Sequence, residues 1–314
     1  MKNLRNTSII ILATLFSVTS CSTDDGFDPI SEDPFTPPTA AAFKALQEDA
    51  FNNLKQNATF NAEDGITFES DAGVTLSIFG DCLTLNGDQV SGAVDLEFVE
   101  IFDRGNMLTT NATTVGKNED DNLEQLISGG EFNIKAYQNG EELEFDESCG
   151  MMIKVPVSLT GGEVDGMGPF TGEMDQDGNL VWLEQNTEFW VDQEGESPTY
   201  NAFLDSFQWF NCDVFSYDPD PKTEIGISVP QGFDSSNSSV YLARSGQPNS
   251  LGFIYGEFPI GLEAHIIFLS EHEGEFRYAI QSVTVASGQE VTFTLEETSI
   301  APVEDLTQII NDLP

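Results

Sequence analysis

Read for hydrophobic periodicity, the chain begins with one helical stripe and then turns almost wholly to alternation. Phe43, Leu46, Ala50, Phe51 and Leu54 recur at the three-to-four spacing of a single helix face, and Thr39 stands where an N-cap would. From about Gly65 the period falls to two. Val74, Leu76 and Ile78 share one face, with Thr75 and Ser77 on the other. Val94, Leu96 and Phe98 alternate with Asp95 and Glu97 before the apolar phase slips to Val99 and Ile101, which predicts a β-bulge. Phe132, Ile134 and Ala136 predict a further strand, turned by Asn139-Gly140 into Leu143 and Phe145. Ile153, Val155, Val157 and Leu159 close this set. Pro156 has no N–H for a ladder, which places that strand at a sheet edge or near its own end.

Residues 161–222 are less regular. Leu180–Leu183 and Phe189–Val191 predict two strands, Asp175-Gln-Asp177-Gly-Asn179 a turn into the first, and Tyr217–Lys222 a linker. Alternation returns over Ile225–Val229, Val240–Ala243, Leu262–Leu269, Phe276–Val285 and Val291–Leu295, and a short helix over Val303–Leu313 follows Pro302. Between the two terminal helices no helical stripe occurs. Spaced strands with Gly-rich turns predict a mainly β fold of tandem antiparallel β-sandwich domains with a short helix at each end. The divisions are 39–160 (helix plus first sandwich), 161–222 (irregular β middle region) and 223–314 (second sandwich with terminal helix).

The first 38 residues differ in kind. Lys2 and Arg5 precede an apolar stretch of about ten residues, too short for the ~20 that span a bilayer but suited to a secretory signal, read as 1–20. Val18-Thr-Ser-Cys21 then resembles a bacterial lipobox, which implies cleavage before Cys21 and acylation of that residue. Ser22 and Asp24-Asp25 resemble the acidic export signal of surface lipoproteins, which implies the outer membrane with the protein facing the exterior. The 21–38 stretch holds four prolines among acids and reads as an extended tether.

The chain carries 54 Asp or Glu against 11 Lys or Arg, a formal charge of −43. Loss of 1–20 would remove two of those cations. Such a chain repels nucleic acid and anionic headgroups, so nucleic acid is excluded as a partner and the membrane is reached only through the anchor.

Three stretches carry a family resemblance. Val74–Phe79, Gly92-Ala-Val-Asp-Leu-Glu-Phe-Val-Glu-Ile101 and Lys154-Val-Pro-Val-Ser158 resemble the β-sandwich shared by zona-occludens proteins and netrin receptors (the ZU type). Arg104-Gly-Asn-Met107, Leu126-Ile-Ser-Gly-Gly130 and Gln208–Asp213 are similar to runs in uncharacterised bacterial surface lipoproteins, and Val283–Phe293 to transthyretin-like sandwiches. The ZU likeness implies protein contacts, with no partner named.

Candidate chemistry is sparse. Beyond Cys21, the cysteines are Cys82, Cys149 and Cys212, with no CxxC metal spacing. Three disulfide pairings are open. Cys82 with Cys149 is favoured because both fall in one sandwich; three buried thiols are the alternative. His265 lies in a strand and His272 in an acidic turn, and neither HExxH nor Gly-x-Ser-x-Gly occurs, which disfavours zinc and triad chemistry. Two carboxylates ~5–9.5 Å apart would suffice for glycoside hydrolysis, but solvated surface acids are the default for so acidic a chain. Asp175, Asp177 and Asn179 resemble the start of a calcium loop, departing from it at Leu180 and Asn186, with a hairpin turn as the default. Trp182, Trp190 and Trp209, with Tyr200, are either a glycan-stacking set or core. The expectation is a lipid-anchored surface protein without enzymatic activity, needing no cofactor beyond a calcium ion at most. It would serve as an adhesion or interaction module. The alternatives are a glycan-binding accessory of polysaccharide uptake and a glycoside hydrolase.

Overall fold

The computed structural model describes residues 35–176, 178–193, 197–216, 218 and 220–314. The signal segment, Cys21 and most of the tether lie outside the described residues, as does Asp177. The fold is mainly β, with sheets that pack face to face and, among the described residues, three α-helices. The helices are α1 (Ala40–Asn53), α2 (Arg104–Thr110) and α3 (Val303–Asn311). Helix α1 starts where the stripe predicts, the Thr39 side chain accepting from Ala42 N at 3.1 Å. The α2 helix is a correction to the expectation that no helix lies between the ends. Seven residues are too few to show a stripe, but its caps were there to be read. Asp103 Oδ1 accepts from Asn106 N at 2.9 Å, and Asn111 closes the helix in the left-handed region at φ 60°.

An inner sheet runs in the order Gln56–Asn61, Ala93–Ile101, Leu123–Gln138, Trp209–Phe215, Gly168–Met174, Leu180–Glu184, Val115–Lys117, with Glu141–Glu142 turned back onto Leu123–Gln138. Val115–Lys117 also pairs with the start of Leu123–Gln138, so five of these strands form a closed circuit. An outer sheet runs Phe189–Asp192, Thr199–Leu204, Met151–Pro156, Thr75–Ile78, Ile66–Glu69. Pro156 sits at the end of the central strand of that sheet, where Thr75–Ile78 no longer reaches. Strands from 161–222 belong to both sheets, so residue 160 marks no break between sheets. A third sheet, the C-terminal one, runs Gly252–Phe253, Ser238–Arg244, Glu263–His272, Glu275–Thr284, Ser299–Ala301.

The inner sheet is covered on both faces. On one, Leu96, Phe98, Phe132, Ile134 and Phe210 pack against Leu76, Ile153, Val155 and Tyr200 of the outer sheet. On the other, Val99, Ile101, Leu126, Phe170 and Trp182 pack against all three helices and against Tyr241, Ile267 and Leu269 of the C-terminal sheet. This explains the phase slip after Phe98 and corrects the predicted bulge. The pairing of Ala93–Ile101 stays in unbroken register from Asp95↔Tyr137 to Ile101↔Glu131. Phe98 serves one core; Val99 and Ile101 serve the other. The observed bulge is elsewhere, where Gly129 and Gly130 together face Cys212. Gly130 has φ 126°, and a Cβ there would lie 2.5 Å from the Phe102 ring.

Cys82 and Cys149 are joined, the favoured pairing, and Cys212 is a buried thiol. The bond spans 67 residues of sequence, which by chain entropy stabilises on the order of 4 kcal/mol. No helix among the described residues is long and apolar enough to cross a membrane.

Candidate functional site

A cleft of about 690 Å³ lies over the second face of the inner sheet, under α1. That volume suits a small molecule or a short chain. Its floor is a row of cross-strand neighbours. Asn133 is paired with Val99 on one side and Trp209 on the other, and Gly172 lies beyond Trp209. A Cβ on Gly172 would meet Trp209 at 2.7 Å and Leu180 at 2.7 Å, so only glycine lets the tryptophan lie down there. Helix α1 supplies Phe43, Gln47, Phe51 and Asn52; the hairpin around Met174 and Asn179 and the serines 235, 236 and 239 complete the walls. Phe51 and Trp209 touch with ring centroids 5.5 Å apart, and Trp182 backs Trp209 edge-on at 6.0 Å.

The polar groups of this cleft fall into two sets. Asn111 Oδ1 is engaged, accepting from the Tyr241 hydroxyl at 2.7 Å. Lys44 and Lys135 are each held by a carboxylate, Glu48 at 3.6 Å and Glu142 at 3.1 Å. Asn133 is different. Its residue is 8% exposed, and its amide makes no hydrogen bond to any described residue. Glu48 is the one carboxylate among the described lining residues, in a chain where acids outnumber bases about fivefold.

The three tryptophans do not form a stacking platform. Trp182 is wholly buried, its Nε1 donating to Thr113 O at 2.8 Å. Trp190 stands 36% exposed on the edge strand of the outer sheet, a different layer. Tyr200 is buried in the first core, its hydroxyl accepting from Val164 N at 2.8 Å. Trp209 alone of the set faces the cleft. The reason is the doubly covered sheet, which turns side chains of either parity into core. Asp175 takes two hydrogen bonds from Asn179, at its backbone N (2.8 Å) and its Nδ2 (3.2 Å), closing the hairpin between the strands. Among the described residues no three His, Cys, Asp or Glu side chains converge as a metal site. His265 is buried between Ser282 (2.9 Å) and Ser245 (3.4 Å), and burial together with the Arg104 charge lowers its pKa. His272 ends a strand.

Further along the same face of the sheet lies a pair of acids invisible to pattern reading. Glu131 and Asp213 are both wholly buried. Burial, with the Asp213 charge next, pushes the Glu131 carboxyl well above its ordinary range. The Trp182 indole, which would oppose that shift, is spent on Thr113, and neither Glu131 oxygen accepts a hydrogen bond. Burial likewise raises Asp213, although its Oδ2 accepts from Asn211 at 2.7 Å. Asn133 and Glu131 alternate with Phe132 and Ile134, so by period alone they belong to a solvated face; only the packing of α1 and the C-terminal sheet over them shows otherwise. No known protein-family model matches this chain, and no curated protein matches it.

Proposed function

We propose that the protein is a non-catalytic recognition module, held at the cell surface by a lipid on Cys21, with the cleft under α1 as its ligand site. The observation that carries this reading is Asn133, a residue nine-tenths buried beside Trp209 on the cleft floor, whose amide faces the cleft with no hydrogen bond to a described residue. That amide opens into the cleft, where its donor and acceptor are both available to a ligand. Two further features favour binding over bond-breaking. Glu48 has no second carboxylate across the cleft among the described lining residues, whereas glycoside hydrolysis needs a pair. The Glu131 and Asp213 carboxyls are closed off from solvent. The ZU likeness of 74–159 also favours contact over catalysis.

The test uses a blocked cleft. Asn52 is exposed on α1 at the cleft wall, so Asn52→Trp fills the space while leaving the core alone. Oligosaccharides, peptides and small polar metabolites are screened by thermal shift against both proteins. The expected result is a ligand that raises the wild-type Tm and leaves the variant unmoved, because binding to the native state stabilises it. A ligand that shifts both equally, a ligand converted to product, or a screen with no response would overturn the reading.

A further inference from the structure

We infer that the ligand of this cleft is a short neutral oligosaccharide, an inference that rests on the cleft being the binding site. Four other classes fail on the chemistry of the walls. An anion finds little net positive charge, since Lys44 and Lys135 each have a glutamate beside them and the protein around them is strongly acidic. A free cation would seek clustered carboxylates, and the described lining has only Glu48, already paired. A lipid tail would want an unbroken apolar tunnel, whereas amides and hydroxyls are interspersed among the apolar residues of this lining. An extended peptide is most readily held by adding to an open strand edge, yet the floor strands Leu123–Gln138 and Trp209–Phe215 are hydrogen-bonded on both sides where the cleft crosses them.

A neutral sugar meets each feature that remains. Its ring has an apolar C–H face for the Trp209 and Phe51 rings, which lie in contact at the cleft wall. Its hydroxyls both donate and accept, and the primary amide of Asn133 offers both roles from one position. The half-buried Trp209 carries an indole N–H that no described residue engages, a second donor on the same floor. The volume accommodates a few sugar rings and excludes a folded partner.

Intrinsic tryptophan fluorescence of the whole protein is titrated with neutral oligosaccharides of glucose, mannose, galactose and xylose, with a uronic-acid oligosaccharide, and with a neutral peptide mixture. Saturable binding of a neutral sugar is expected, insensitive to added salt because no charge is engaged. Asn133→Ala should weaken it about tenfold, the loss of a hydrogen-bond pair at a desolvated site. The same variant should keep its Tm, since the amide has no partner in the protein. Trp209→Phe, which keeps an aromatic ring, should weaken binding less than Trp209→Ala. Binding confined to peptides or to uronates, abolished by Asn52→Trp, would overturn the sugar assignment while leaving the cleft as the site. Sugar binding untouched by Asn133→Ala and by both Trp209 variants would also overturn it. Failure of every class would overturn both.

Discussion

Burying a carboxyl group away from any countercharge ties folding to pH. Glu131 and Asp213 pass from water in the unfolded chain to a closed interior, and each has a native pKa raised well above its unfolded one. The folded state therefore holds protons that the unfolded state releases, and stability falls as pH rises. The contribution is whole below the ordinary carboxyl pKa of about 4 and is lost as pH climbs through the raised native values. Glu131→Gln keeps the shape and removes the titration. It should raise stability at pH 8 and flatten the slope between pH 5 and 8, as urea unfolding at the two values would show. An unchanged slope would mean that Glu131 ionises freely. The general repulsion among the surface acids acts in the same direction, so the comparison between the two proteins is what isolates this residue.

At the scale of elements, α2 and α3 are locked through one side chain. Arg104 is 1% exposed, and its guanidinium donates to the carbonyls of Ile310 (2.9 Å) and Leu313 at the end of α3. A cation there meets the negative end of the helix and adds a charged donor to the Ile310 carbonyl, which also accepts from Leu313 N at 3.3 Å, and to that of Leu313. Asn311 Nδ2 returns a bond to Asp103 Oδ1 at 2.8 Å, and Gly105 lets the helices approach so closely that a Cβ would lie 2.3 Å from Thr307 O. Arg104→Leu should lower stability by about 3 kcal/mol, since several charge-assisted hydrogen bonds to carbonyls are lost together. Amide exchange in α3 should rise with it. Arg104→Lys should not restore the wild type, because an ammonium lacks the planar fork. Little of this clamp was legible beforehand. Helix α1, the Asn139-Gly140 turn (φ 54° and 84°) and strands such as Thr75–Ile78, Ala93–Ile101 and Glu263–His272 could be read from local spacing and turn chemistry. Gln56–Asn61, Gly168–Met174, Thr199–Leu204 and Trp209–Phe215 could not, and Cys82–Cys149 was one favoured pairing among open alternatives. Arg104 could not be read either, because its partners at the end of α3 lie more than 200 residues away. The cleft was hidden for a related reason. Asn133 and Trp209 become neighbours only through strand pairing, and Phe51 looks from its spacing like any other core position of α1.

The molecule as a whole is built around a sheet that two cores share. Residues 56–215 provide its strands, and α1, α2 and the C-terminal sheet with α3 cover its second face. The second face buries Val99, Ile101, Leu126 and Phe170, none of which is more than 2% exposed. A fragment ending at residue 222 would leave much of that face bare. It should therefore bind a hydrophobic dye and elute as aggregate in gel filtration, while the full chain does neither. A compact, dye-silent fragment would show that the two sandwiches are independent after all.

That shared sheet also bears on how the chain reaches its final state. The strands are made early, but Tyr241, Ile267, Leu306 and Ile310, which cap the second face, are made last. Until synthesis is nearly complete, a growing polypeptide has nothing of its own with which to shield that greasy surface. Its biogenesis thus calls for an escort that masks apolar strands until the final third arrives.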